Sequence, residues 1–432
     1  MAQPLAPGAP FAPPRSFRER VVEGYRRVCV DYWPYWAATI TAAFLNILLF
    51  AYAGSAWGVT TEFTRWGGHL LGLLGVDVNQ WAYFGPTGIG PTKGLPWDRP
   101  SGWLIFGMFG GALIGSLLSS SCQLRVPRQR RRLLVGFVGG VLGGFGARLA
   151  MGCNLGSFFS AIPQFSLHGW LFMLGLFAGT WLGVQIALHP WVMGPPERRV
   201  RRALPTPPGR PSLQPYLGAL GILAVLGLLV WFVQAGLERL GVVMLFGVGF
   251  GLVIERGRIC FTNAFRELWI TRQGHLARAL ALAMMVATVG FAVQIAAGAK
   301  PRFEYASLGA LVGGVLFGVG IVLAGGCETG WMYRSVQGYV QLWMAGLGTI
   351  VGTVLLAYGW DHWGLYELLV APARPISLLN EFGMAAALVL TLGGLAAWYL
   401  FATWWETRPA ILPRPRPAPA PARRGELHEP AS

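Results

Sequence analysis

The chain has 432 residues, of which 54% are hydrophobic and 12% charged, about half the charge of a soluble protein, so a sizeable soluble domain is excluded. Lysine and arginine total 34 against 18 acids, a net charge of +16. The arginines lie in short blocks between apolar runs, as in loops that meet anionic lipid, and this argues against nucleic-acid binding.

Residues 1–31 read as a cytoplasmic N-terminal tail. Met1–Pro14 is rich in proline and alanine and lacks the apolar core of a signal peptide, so the first span is expected to be retained. Ten windows long enough to cross a bilayer follow, near 32–54, 102–121, 133–151, 167–188, 215–236, 240–256, 277–297, 307–325, 340–359 and 382–402. The alternation of a β-barrel strand is absent. The fold class is therefore an all-α polytopic membrane protein. Basic loops precede the first span, lie at 123–132, 190–212 and 256–278, and follow the last span. The positive-inside rule then places both termini in the cytoplasm, with only the loop carrying Lys300 and Arg302 against it. Residues 408–432 are rich in proline, arginine and alanine and read as a disordered cytoplasmic tail.

Val138–Gly156 aligns without a gap on Val312–Gly330, with twelve of nineteen positions identical, including Gly152/Gly326, Cys153/Cys327 and Gly156/Gly330. Chance gives about three in sequence this apolar and glycine-rich. Under the expected topology the span leading to Cys153 runs outward and the one leading to Cys327 runs inward. The chain then divides into two five-span repeats, 32–236 and 237–407, inverted on each other. That is the plan of many secondary transporters and channels. Repeated glycines also serve helix packing alone, which leaves a plain scaffold as the alternative.

After each Gly-Cys pair comes a segment too short and too polar to span, Asn154–Ser166 and Glu328–Gly338. Irregular backbone at membrane depth persists only where it is buried or lines a cavity. Both segments therefore read as re-entrant half-helices. Arg256–Glu267 has the same character, and its counterpart is Trp57–Gly67, with the register open by a residue or two.

A cysteine at a half-helix end, next to glycine, exposes a thiol and backbone N–H groups to the same ligand. A neutral thiol is a weak, polarizable donor suited to sulfur, whereas a helix N-terminus also favours thiolate, so both protonation states stay open. Cys153, Cys260 and Cys327 are the candidates, with Gly152 and Gly326 beside two of them; Cys29 and Cys122 read as small apolar fillers. Five cysteines at wide spacing form neither a disulfide framework nor a zinc site, and no metal or cofactor is expected. Arg148 fits an anion-attracting group, a structural ion pair or a snorkelling head. Glu328 stands at the repeat position of Asn154 and disfavours a bare anion unless it is paired or proton-coupled. Glu255, Arg256 and Arg258 read as an interfacial charge cluster, and the tryptophans as interfacial anchors.

The stretches Gly146–Ser160, Ser166–Trp170, Arg258–Glu267 and Leu323–Gly330 resemble the YeeE/YedE sulfur-transport family of bacterial membrane proteins, over most of residues 32–402. The resemblance implies spanning helices with short inward-dipping ones. It also implies uptake of thiosulfate or a related small sulfur-containing anion across the inner membrane. Cys153, Cys260 and Cys327 would line the path, with Thr60 or Thr61 in place of a fourth thiol. Selenium compounds or other sulfur compounds are alternative substrates for such a family. A membrane enzyme carrying a persulfide is the alternative from another class, although no catalytic base stands at a readable spacing from these thiols. The partners expected are the anion, membrane lipid and a cytoplasmic sulfur-carrier or rhodanese-like acceptor.

Overall fold

The computed structural model describes residues 16–193 and 212–409. Among these there is no strand, and three isolated bridges tie loops together: Arg125 to Tyr339, Ser166 to Ser377 and Tyr305 to Pro375. In chain order the helices are α1 (Phe17–Tyr25), α2 (Tyr35–Ala53), α3 (Thr60–Leu73), α4 (Pro100–Leu118), α5 (Arg131–Leu149), α6 (Leu167–Leu188), α7 (Pro190–Met193) and α8 (Gln214–Gln234). They continue with α9 (Glu238–Arg256), α10 (Phe261–Ile270), α11 (His275–Ala296), α12 (Leu308–Ala324), α13 (Glu328–Val336), α14 (Val340–His362), α15 (Leu365–Leu369) and α16 (Leu378–Trp405). Among the described residues, ten runs are long and apolar enough to cross a membrane: α2, α4, α5, α6, α8, α9 with α10, α11, α12 with α13, α14 and α16. The chain is a polytopic α-helical membrane protein.

Local chemistry sets the helix ends. Ser16 and Glu19 form a reciprocal capping box that starts α1, so the expected N-terminal tail contains a helix, followed by a π-helical turn at Arg26–Val30. α4 begins on Pro100, whose missing N–H costs nothing in a first turn. α12 starts at Ser307, whose hydroxyl accepts from the Ala310 amide, and stops at Gly325 with φ +83°, a left-handed position that favours glycine. The last span starts at Leu378 rather than near 382, because a bend at Gly383 (φ +79°) adds a turn in front of it. Of the expected tail 408–432, only Arg408 and Pro409 fall among the described residues.

Helices in lipid gain little from hydrophobic burial against each other, so close packing relies on small residues. α5 and α12 cross on glycines. A side chain at Gly139 would meet the Gly320 backbone, and one at Gly320 would meet Gly139 and Gly143; Gly146 and Gly313 oppose each other in the same way. The early glycine of each helix faces the late glycine of the other, so α5 and α12 run antiparallel. Around them α5 packs along α14, α6 along α12, α4 along α9 and α2 along α11, while α8 lies against α4 and α16 against α11. Exchanging α5 with α12, α6 with α14, α2 with α9, α4 with α11 and α8 with α16 maps this set of partners onto itself.

Two glycine substitutions separate packing from open space. Gly320→Val drives a side chain into the α5 backbone, an overpacking of about 1–3 kcal/mol or more, whereas an added methyl at Gly156 meets nothing within 4 Å. Gly320→Val is expected to lower the unfolding temperature in detergent and to broaden the size-exclusion peak. Gly156→Ala is expected to match the unmodified chain in both.

Candidate functional site

Each span that leads into a candidate segment is broken by a turn at its end. α3 follows α2, a π-helical turn Asn154–Ser160 follows α5, α10 follows α9 and α13 follows α12. The expected half-helix at Asn154–Ser166 is therefore a shorter π-helical turn, closed by Phe165 in the left-handed region (φ +67°). Side chains pin these pieces at depth. Asn46 of α2 accepts from the Trp57 amide at 2.7 Å and donates to Ser160 Oγ at 3.0 Å, and that hydroxyl donates to the Trp57 carbonyl at 3.0 Å. The indole of Trp57 stacks on Phe250 of α9 with centroids 4.0 Å apart.

In the second half, Cys260 is the N-cap of α10 and Cys327 the N-cap of α13. The two helix starts meet, and the sulfurs lie 3.8 Å apart. Cys327 Sγ is also 3.2 Å from Thr329 Oγ1, and the Cys260 sulfur faces the amides of Cys327 and Asn263. Gly330 makes the approach possible, since a Cβ there would sit 2.6 Å from Cys260 Sγ. In the first half, the Cys153 sulfur faces the Thr60 side chain and the amides of Leu155 and Gly156. Thr60 thus stands to Cys153 as Cys260 stands to Cys327. The thiols of Cys153 and Cys260 are fully buried and that of Cys327 is 1% exposed.

Buried polar atoms around the thiols lack protein partners: both amide atoms of Asn154, Thr262 Oγ1, Glu328 Oε2 and Trp331 Nε1. Such groups cost roughly 1–3 kcal/mol each when left unpaired, and their clustering marks a place where a polar ligand would be compensated. The Glu328 carboxyl lies within electrostatic reach of all three thiols. With Trp331, Thr349 and Cys327 it lines a cavity of about 10 Å³ against the glycines of α5, among them Gly139, and Gly326. Gly152, the repeat partner of Gly326, packs against Ser157, whose Oγ an added Cβ would strike.

Arg148 ends α5 and is 1% exposed. Its Nε donates to Tyr83 Oη at 2.5 Å and its Nη1 to Thr61 Oγ1 at 3.3 Å, and no carboxylate pairs with it among the described residues. The guanidinium therefore neither snorkels nor forms an ion pair. Thr60 and Thr61 divide their roles, the first facing Cys153 and the second Arg148. Glu255 and Arg256 depart from the expected interfacial cluster. They form a buried ion pair, with Gln337 donating to Glu255 at 2.9 Å and Arg256 donating to Ser119 and to the Cys29 and Val30 carbonyls. Arg258 lies outside that pair, over the Tyr32 ring at 4.2 Å. Cys122 is more than filler, since its thiol lies 3.2 Å from the Val336 carbonyl. Sequence reasoning missed Tyr83 and Trp331, because neither position repeats; Thr262 sat inside a quoted motif without being singled out.

A family model described as sulphur transport matches residues 10–182 and 256–428. The chain is 42% identical to the probable transporter YedE of Escherichia coli over 381 residues, covering 88% of this chain and 94% of that protein. It is also 41% identical over 101 residues to the thiosulfate transporter TsuA of Escherichia coli, covering 23% of this chain and 29% of that protein. TsuA of Spirochaeta thermophila is 33% identical over 125 residues, covering 28% of this chain and 38% of that one. No solved structure matches the chain.

The sulfur–sulfur approach is directly testable. In a chain carrying Cys29→Ser and Cys122→Ser, mild oxidation with diamide is expected to join Cys260 to Cys327, since closing 3.8 Å to a bond of about 2.0 Å needs only small rotations. Peptide mapping after denaturation and alkylation would then show that bridge, with Cys153 recovered as an alkylated free thiol. A bridge involving Cys153, or none at all, would contradict the arrangement.

Proposed function

The chain belongs to the sulphur-transport family, and on that premise we propose that it carries thiosulfate, or a closely related small sulfur-containing anion, across the bacterial inner membrane through a cysteine-lined path. The observation that carries the reading is the meeting of two helix N-termini at Cys260 and Cys327, with Cys153 and Thr60 repeating the arrangement in the other half. Helix starts present amide N–H groups and positive dipole ends to an anion. A thiol offers a soft, weak donor matched to the terminal sulfur of thiosulfate and poorly matched to hard oxygen.

The protein is a transporter rather than an enzyme. Residues 32–236 and 237–407 act as two halves inverted in the membrane, which the antiparallel crossing of α5 and α12 supports. Both termini lie in the cytoplasm, as the basic loops favour. The long 74–99 loop then faces outside, and the anion passes Arg148 and Thr61, then Thr60 and Cys153, then Cys327 and Cys260. Asn154 and Glu328, at matching repeat positions beside the path, supply polar contacts that the protein itself leaves unpaired. Because the thiols are sealed from solvent, each handover needs local movement of a half-helix rather than rocking of the halves. A soluble sulfur-carrier or rhodanese-like protein is the acceptor inside, its thiolate taking the outer sulfur of thiosulfate as a persulfide while the S–S bond breaks and sulfite leaves.

Liposomes holding the full chain are expected to accumulate radiolabelled thiosulfate. Cys153→Ala, Cys260→Ala and Cys327→Ala should each cut uptake by about tenfold or more, the loss of at least one hydrogen-bonding contact, with insertion preserved. Full uptake in all three variants would sink the thiol path. Absence of uptake by the unmodified chain, with selenium compounds and other sulfur anions tried in turn, would sink the transport reading for that substrate class.

A further inference from the structure

We infer that Glu328 carries a proton that accompanies each anion, so that the chain works as a proton–anion symporter with one carboxyl as its coupling group. The inference rests on the transport reading above and adds the driving force to it.

Three carboxyl groups are buried among the described residues, Glu62, Glu255 and Glu328. Glu62 is paired with Arg99 and Glu255 with Arg256. Glu328 is 2% exposed, forms no ion pair, and leaves Oε2 without a protein partner. Charges on the elements around it are turned elsewhere. On α13 itself Arg334 donates to Tyr333 Oη and the Gly325 carbonyl, and on α10 Arg266 pairs with Glu267. The pair at the end of α9 is Glu255 with Arg256, and Asp361 with His362 lies at the far end of α14. α4 carries no charged residue, and α5 meets the carboxyl's cavity through glycines, with Arg148 turned to Tyr83 and Thr61. The titratable groups left facing Glu328 are the thiols of Cys153, Cys260 and Cys327.

The repeat indicates which form of the carboxyl lets the anion pass. In the first half the same position holds Asn154, a neutral side chain whose donor and acceptor are both unpartnered. A protonated Glu328 offers the same combination, one O–H and one carbonyl oxygen. The ionised form offers acceptors alone and sets a negative charge beside the thiols, where it repels an anion. Passage therefore requires a proton on Glu328. The cavity beside it is about 10 Å³, room for about one water and none for a hydrated metal cation, so the co-ion is H⁺. An inside-negative potential opposes entry of a dianion, and one proton entering with it halves the charge moved. Because Glu328 faces thiols of both halves, it takes H⁺ from the outer side as the anion enters and releases it inside once the anion has left. One proton and one anion cross per cycle, and no bond of the anion changes.

Liposomes holding the full chain and a pH-sensitive dye, their potential clamped with potassium and valinomycin, test the coupling. Radiolabelled thiosulfate entering the unmodified chain's liposomes is expected to acidify the interior, with about as many protons as anions. Holding the outside about one pH unit more acidic than the inside should raise the accumulated thiosulfate about tenfold, the factor that one co-transported proton supplies. Glu328→Gln should abolish both the acidification and the response to the pH gradient, while Glu328→Asp, which keeps a carboxyl, should retain them. Should Glu328→Gln fail to insert or to transport, the unmodified chain and Glu328→Asp decide the matter. Uptake by the unmodified chain without acidification, or acidification that persists in a Glu328→Gln chain that transports, overturns the coupling and leaves the transport reading standing. No uptake by the unmodified chain at either pH removes the transport reading and the coupling together.

Discussion

The arrangement depends on the glycine contact between α5 and α12. Where Gly139 faces Gly320 and Gly146 faces Gly313, two backbones touch without side chains between them. That contact places the ends of both helices, and both ends lead directly into Gly-Cys pairs. Any Cβ there would separate the helices and with them Cys153 and Cys327. The same glycines therefore serve packing and, through it, the position of the thiols, so the scaffold and path readings of the repeat describe one device.

Breaking a helix at membrane depth frees backbone groups that lipid cannot satisfy. The structure answers with side chains: Asn46 and Ser160 hold the Trp57 turn, and Gln337 with the Glu255–Arg256 pair holds the end of α9 close to α13. These groups are fully committed. The Asn154 amide, the Thr262 hydroxyl and Oε2 of Glu328 are equally buried but have no protein partner. The contrast between satisfied anchors and unsatisfied neighbours separates residues that build the site from residues free to meet a ligand.

Much of this was legible in the sequence, for physical reasons. Spans announce themselves by hydropathy, and helices that must touch through glycine announce themselves by its repetition. Cys153 and Cys327 stood out because duplication preserved them against a changing background. Pairing between segments distant in the chain was not legible. Nothing in the sequence around Cys260 says that its sulfur lies 3.8 Å from Cys327, since that follows from how α10 and α13 meet. Tyr83 sits in the 74–99 loop, far from α5 in the chain, yet it folds back to hold Arg148. Glu255 and Arg256 read as part of an interfacial charge cluster because local sequence does not record that Cys29, Val30 and Ser119 close over Arg256.

The most direct measurement is an experimental structure of the unmodified full chain with thiosulfate bound, using sulfur anomalous scattering or ligand density to place the anion. The account predicts the anion in contact with at least one of the Cys153, Cys260 and Cys327 thiols, with its charge turned to the amides at the starts of α10 and α13 or of the Asn154–Ser160 turn. An anion bound away from all three thiols, with those thiols still packed against protein, would contradict it.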